Sequence, residues 1–222
     1  MNTFKKTLLA TAAVSTMAIA APAAVAEIAA SATISSSYLW RGSDLGAGNF
    51  SGLVSGGEEY NSSKGVPALS ADLVYSEGGF YGGLWLSSGD AAAGTEYDYF
   101  AGYGGSVGSI SYDIGLATYV YPTSGGEPGD LSELIISLGT GPVSVTLYDN
   151  IAGDSGYTYT TIGYEAGDFA FTYGEHKDAM SHFDISYAVN DSISFTMSSV
   201  VDDNGGASDD DTTFVASYSL PF

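Results

Sequence analysis

The chain has 222 residues, with 26 Asp plus Glu against 5 Lys plus Arg, a formal charge of -21, no cysteine, 30 Gly and 17 Tyr. Such a charge repels phosphate backbones and leaves no basic patch for nucleic acid, and zero cysteine excludes disulfide scaffolds, thiol catalysis, iron–sulfur clusters and cysteine-ligated zinc. With 45% hydrophobic and 14% charged residues, the chain is too apolar for a disordered acidic tail and must shelter its apolar side chains.

The first element in the chain, residues 1–26, reads as a secretory signal peptide. Lys5 and Lys6 precede an apolar run from Leu8 to Ala20, and Ala24-Val25-Ala26 supplies the cleavage site. The run is too short and Ala-rich for a transmembrane anchor. Residues 27–222 are expected to form one exported domain.

From Glu27 onward apolar residues do not recur at helical spacing, and period-two alternation predicts twelve strands. They cover 31–41, 67–76, 79–89, 96–104, 109–121, 131–140, 142–150, 157–165, 168–175, 181–190, 191–201 and 212–222. Within 79–89 and 157–165 the pattern supports either register. The connections alternate in length. Tight turns fall at 76–79, 104–109, 140–142, 165–168 and 190–191, and longer loops at 42–66, 90–95, 122–130, 151–156, 176–180 and 202–211. That parity describes an all-β, transmembrane, antiparallel up-and-down barrel of about 12 strands, with both termini on the periplasmic, short-turn side.

The acids provide an independent check, because a charge on a lipid-facing wall is costly. Most lie in loops or turns. The six inside predicted strands are Asp72, Glu96, Asp98, Asp113, Glu133 and Asp184, and each shares the polar phase of its strand. Tyr38, Trp40, Tyr75, Tyr97, Tyr119 and Tyr121 sit near strand ends, as interfacial aromatic girdles would, although β-propensity alone also favours aromatics there. In the last strand Phe214, Ala216, Tyr218, Leu220 and Phe222 share one face. A terminal aromatic after alternating apolar positions resembles the signal by which bacterial outer-membrane barrels engage their assembly machinery.

Four stretches carry a family resemblance: SSSYLWRGSDLG after the leader, GGFYGGLWLSSGD at 78–90, EYDYFAGYGGSVGSISYDIGLATYVYP at 96–122 and SELIISLGTGPVSVTLY at 132–148. They resemble the TorF family of porins over about residues 31–150; beyond that, only strand pattern and terminus agree. The resemblance implies an outer-membrane barrel with a channel role and offers no catalytic residues. Leu39-Trp40 stands before Arg41-Gly42 where relatives tend to show a Val-Phe pair, and the loop 42–66 is less typical.

No GxSxG or HExxH box is present, so no enzymatic activity, metal or cofactor is expected. His176 and His182, with Asp178 and Asp184, flank the fifth long loop and read as solvated surface rather than a metal or acid–base site. The run DDNGGASDDD from Asp202 departs from calcium-loop spacing and reads as a solvated acidic loop that divalent ions would bridge to lipopolysaccharide. The glycine clusters at 102–108 and 139–141 have no following helix to bind a nucleotide.

Inward positions such as Ser31, Thr33, Ser35, Ser70, Ser111 and Thr146 are small and polar, so a hydrated lumen is expected. Into it would project the six carboxylates and one cation, Arg41, near the outer mouth. Arg41 reads either as a constriction charge or as one half of a salt bridge to a neighbour such as Asp72. The expected function is passive, cation-preferring diffusion of small hydrophilic solutes. The alternatives are a closed structural or adhesive barrel, blocked by Arg41 networks or by the first loop folding inward, and a secreted β-sandwich.

Overall fold

A computed structural model describes residues 26–45, 48–50, 60–62, 67–90, 94–154, 156–204 and 212–222. The leader, Glu58, Glu59 and most of the acidic run after Asn204 lie outside the described residues.

Strand β1 (Glu27–Ser35) is followed by four short pieces, β2 (Leu39–Trp40), β3 (Ser43–Asp44), β4 (Gly48–Phe50) and β5 (Tyr60–Ser62). Eleven long strands come next: β6 (Ala68–Glu77), β7 (Phe80–Asp90), β8 (Gly94–Val107), β9 (Ile110–Val120), β10 (Leu131–Thr140), β11 (Val143–Ala152), β12 (Thr158–Ala166), β13 (Phe169–His176), β14 (Ser181–Ala188), β15 (Ile193–Asp202) and β16 (Thr213–Pro221). β1 and β6 to β16 form a closed barrel in which each strand pairs antiparallel with the next along the chain. β1 closes on β16, with Thr33 opposite Ser219. The twelve strands expected are the twelve found, and closure leaves no unpaired edge. Among the described residues there is no α-helix, only a 3-10 turn at Pro122–Ser124.

The loop parity also holds. Residues 78–79, 108–109, 141–142, 167–168 and 189–192 turn the chain at one end, and every other connection lies at the opposite end. The Gly78-Gly79 turn has φ of 59° and 93°, the doubly positive geometry that matches the twist of its flanking strands and that only glycine adopts cheaply. Both described chain ends lie at this short-turn end: Glu27 faces Ser76, and the Phe222 amide donates to the Ala30 carbonyl at 2.8 Å.

The two faces differ as alternation requires. Ile34, Leu73, Ile114, Leu116, Ile136 and Leu138 are exposed on the outer wall, while the residues between them turn inward and are buried or half-buried. Among the described residues, charge on the outer phase is confined to the ends of strands, at Glu77, Asp149 and Glu175. An apolar outer belt of this kind is what a bilayer-spanning barrel requires. Phe214, Tyr218, Leu220 and Phe222 also point outward and are exposed. Tyr75 and Tyr97 stay on the outer phase, as girdle residues would.

Four girdle expectations fail. Tyr38 is 2% exposed and Tyr119 5%, and Trp40 and Tyr121 contact the interior rather than the rim. Tyr119 and Tyr121 follow the inward phase of Asp113 along β9, and for Tyr38 and Trp40 the reason is that β1 ends six residues earlier than predicted. The Ser36 amide bonds the Ala216 carbonyl at 2.9 Å, and the chain then bends into the barrel instead of continuing along the wall. Alternation lapses across that bend, where Ser35-Ser36-Ser37 is followed by Tyr38-Leu39-Trp40, but the lapse does not say which way the chain then runs.

Candidate functional site

The bend forms a small hairpin inside the lumen. Leu39 pairs with Asp44 and Trp40 with Ser43, leaving Arg41-Gly42 as a two-residue tip with φ of 47° and 85°. The Leu45 amide donates to the Tyr38 carbonyl at 2.8 Å, and the Ser37 hydroxyl donates to Asp44. Tip residues with φ above zero favour glycine at the second position. A Cβ on Gly42 would also lie 2.4 Å from Cγ of His182. Replacing Gly42 with Val is therefore expected to dislodge the hairpin, losing more than the about 1–2 kcal/mol that a left-handed backbone alone costs. Gly108→Ala serves as the reference, because Gly108 has φ of 63° and open space around it. Urea unfolding midpoints in lipid vesicles check this; equal losses at the two sites would show that His182 does not hold the tip.

Arg41 is the centre of the arrangement. Its Nη1 and Nη2 donate to the two carboxylate oxygens of Glu133 at 2.9 and 2.6 Å. The Tyr119 hydroxyl donates to Glu133 Oε2 at 2.7 Å. The guanidinium carbon lies 4.6, 4.4 and 4.7 Å from the ring centres of Trp40, Tyr148 and Tyr159. A desolvated cation over aromatic faces gains about 2 kcal/mol or more, and a forked carboxylate contact fixes direction as well as charge. Burial opposes the Arg41 charge, but the Glu133 bond and nearby charges outweigh it and hold the pKa above its ordinary value. Burial, reinforced by Glu96, likewise pushes the Tyr38 phenol up, so it remains a donor.

The two histidines complete the clamp. His176 Nε2 lies 2.7 Å from the Arg41 carbonyl, which can only accept, so Nε2 carries the proton; in the neutral ring, Nδ1 then accepts from the Tyr157 hydroxyl. His182 Nδ1 sits 2.9 Å from Asp184, and its Nε2 lies 2.8 Å from the Tyr159 hydroxyl. Both rings are buried, His182 completely. The expectation of solvated histidines at a loop edge is corrected: the hairpin tip covers them. Among the described residues no group of three or more His, Cys, Asp or Glu is arranged to hold a metal ion.

Each of the six strand carboxylates faces inward. Glu133 pairs with Arg41, which is thereby not paired with Asp72. Asp72 accepts instead from the Ser31 hydroxyl. Glu96 accepts from the Tyr38 and Tyr121 hydroxyls, Asp113 from Tyr81 at 2.8 Å, and Asp184 faces His182. Asp98 is buried, and its Oδ1 has no hydrogen-bond partner. Toward the short turns the inner wall is lined by hydroxyls, paired as Thr33–Ser219, Ser35–Ser217, Ser137–Thr146 and Ser186–Thr196. Toward the loops it is filled by tyrosines and the hairpin, so the expectation of few bulky inward side chains holds for only one half. In the strands of uncertain register, Tyr81 and Tyr159 take the inner face.

The signal for this site lay in the phase of the tyrosines. Tyr119 shares the inward phase of Asp113 in the same strand, and Arg41-Gly42 between two-residue alternating flanks is a tight-turn pattern. Nothing local in the sequence joins Arg41 to Glu133, which lie 92 positions apart.

These features define a closed, twelve-stranded antiparallel barrel with an apolar exterior and a polar interior entered by the β2–β3 hairpin, an architecture compatible with an outer-membrane protein. The chain belongs to the Gcw_chp family, described as bacterial proteins of unknown function, whose profile matches residues 19–188. No curated protein matches the sequence.

Proposed function

We propose that this protein is an outer-membrane porin giving passive, cation-preferring diffusion of small hydrophilic solutes, closed in the state described by the β2–β3 hairpin. The observation that carries the reading is the asymmetry of charge. Six strand carboxylates face the lumen against the single guanidinium of Arg41, while among the described residues the outer wall bears charge only near strand ends. In a confined lumen such an excess concentrates cations and excludes anions. The likeness of four stretches to TorF porins supports the same reading. The outer belt would face outer-membrane lipid and lipopolysaccharide, and the strand ending in Phe222 would engage the barrel-assembly machinery.

The test is conductance of the refolded protein in a planar bilayer under a salt gradient. Discrete steps are expected, with a reversal potential of cationic sign that moves toward zero when Asp72, Asp98 and Asp113 are replaced together by Asn. A second reading, a closed structural or adhesive barrel, is favoured by the burial of Tyr38, Leu39 and Arg41 at 2%, 1% and 3% exposure inside the lumen. Absence of steps from folded protein, both unaltered and with Arg41→Ala, would decide for it.

A further inference from the structure

Between the hairpin and the barrel wall lies a cavity of about 340 Å³, at the low end of the size range of small-molecule sites. Trp40 forms its hairpin side. Tyr119, Tyr121, Leu131 and Tyr157 supply most of the wall, and Glu133, Asn150 and Asp154 are its polar members. The lining therefore comes from the β2–β3 hairpin and from four wall segments: β9 with the residue after it, β10, β11 and the stretch leading into β12.

The chemistry of the lining narrows the ligand. The three tyrosine hydroxyls are committed elsewhere: Tyr119 to Glu133, Tyr121 to Glu96 and Tyr157 to His176. The rings consequently offer carbon surface, not polar tips. Asn150 Oδ1 accepts the Asp154 amide at 2.9 Å, leaving its Nδ2 group as a donor. Glu133 has acceptor capacity beyond its bonds to Arg41 and Tyr119, since an ionised carboxylate carries about four lone-pair sites. Asp154 stands exposed at the rim.

A ligand matching this lining has an apolar face and hydroxyls around its edge. A cation bound at Glu133 would compete with the Arg41 guanidinium, which holds both of its carboxylate oxygens at 2.9 and 2.6 Å. An anion would meet two carboxylates. A purely aromatic molecule would desolvate those carboxylates without bonding them, at a cost of about 1–3 kcal/mol for each group. A neutral sugar ring avoids all three penalties: its C–H face lies on the aromatic rings, its hydroxyls donate to Glu133 and Asp154, and one accepts from Asn150. We infer that this cavity is a binding site for a neutral pyranose-class saccharide, held between Trp40 of the β2–β3 hairpin and the tyrosine wall. The inference deepens the channel reading by naming a solute class, but the site itself requires no open lumen.

The chain has two tryptophans, Trp40 and Trp85, and Trp85 lies on β7, outside the cavity lining. In a Trp85→Phe protein folded in detergent, emission reports Trp40 alone. Titration with D-glucose, D-galactose, N-acetyl-D-glucosamine and maltose is expected to give a saturable change with at least one of them, and choline chloride and sodium benzoate none. In the same background, Asn150→Ala is expected to weaken binding about tenfold, the loss of roughly one hydrogen bond, and Asp154→Asn, at the exposed rim, to weaken it less while leaving the far-UV spectrum unchanged. Saturation by choline or benzoate instead of sugars would overturn the ligand class. No saturable change with any probe, from protein whose spectrum shows a folded barrel, would overturn the site. Because binding is read without conductance, a silent bilayer with saturable sugar quenching would remove the channel and keep the site.

Discussion

Removing the Arg41 side chain is expected to release the first loop from the lumen. In Arg41→Ala, Glu133 keeps only the Tyr119 hydroxyl among its described partners, and a buried charge stripped of its counter-charge costs about 3–5 kcal/mol. The aromatic faces of Trp40, Tyr148 and Tyr159 lose their cation in the same step. The hairpin would then be held mainly by the Arg41 carbonyl bond to His176 and by Tyr38 on Glu96. Urea unfolding in lipid vesicles should show the loss, and planar-bilayer recordings should show larger or more frequent openings than the unaltered protein gives. Arg41→Lys is expected to recover only part of the stability, because an ammonium cannot reach both oxygens of Glu133 in a planar fork. Glu133→Gln combined with Arg41→Ala should cost less than the two single changes added together, since the orphaned charge is gone. Unchanged unfolding and unchanged conductance in Arg41→Ala would show that the clamp does not hold the loop.

Placing a charge on the outer belt is the second large effect. Leu116 is 52% exposed, lies within β9 and stands opposite Leu134 of β10 and Ala101 of β8. If this wall faces hydrocarbon, Leu116→Arg costs about 2–4 kcal/mol, whereas Val107→Arg, at the turn end of β8, costs about 0–1. Val107 is the more exposed of the two at 72%, so a water-facing wall predicts no such ordering. Folding yield and unfolding midpoint in vesicles, compared between the two variants, separate the cases. Equal tolerance at both positions would rule out a bilayer around this barrel.

The barrel was legible in the sequence because its determinants are local. A strand that faces lipid on one side and a polar interior on the other must alternate, and connections at one end of an up-and-down barrel must be short. Thus Asp184 between Phe183 and Ile185, and Gly78-Gly79 between alternating runs, announce face and turn from a few residues each. The inward phase of Asp72, Glu96, Asp98, Asp113, Glu133 and Asp184 follows from the same rule, and so does the outward phase of Phe214, Tyr218, Leu220 and Phe222.

The plug was not legible, for two reasons visible in particular residues. Ser35-Ser36-Ser37 followed by Tyr38-Leu39-Trp40 interrupts the alternation of β1 without giving the chain a direction, so a strand running on along the wall and a hairpin entering the lumen read alike. Arg41 and Glu133 are 92 positions apart, and His176 lies 135 from Arg41. The histidines were misjudged because their solvent exposure depends on a loop that is distant in sequence and covers them only in the folded barrel.

The sequence by itself determined the strand count, the face that all but two of the strands turn outward and the sign of charge inside, because period-two alternation and turn chemistry act over a few neighbouring residues. Only the tertiary structure decided that the β2–β3 hairpin enters the lumen, that Arg41 meets Glu133 rather than Asp72, and that an aromatic cavity opens beside them. Those contacts join segments brought together by closure of β1 on β16, and no spacing along the chain encodes them.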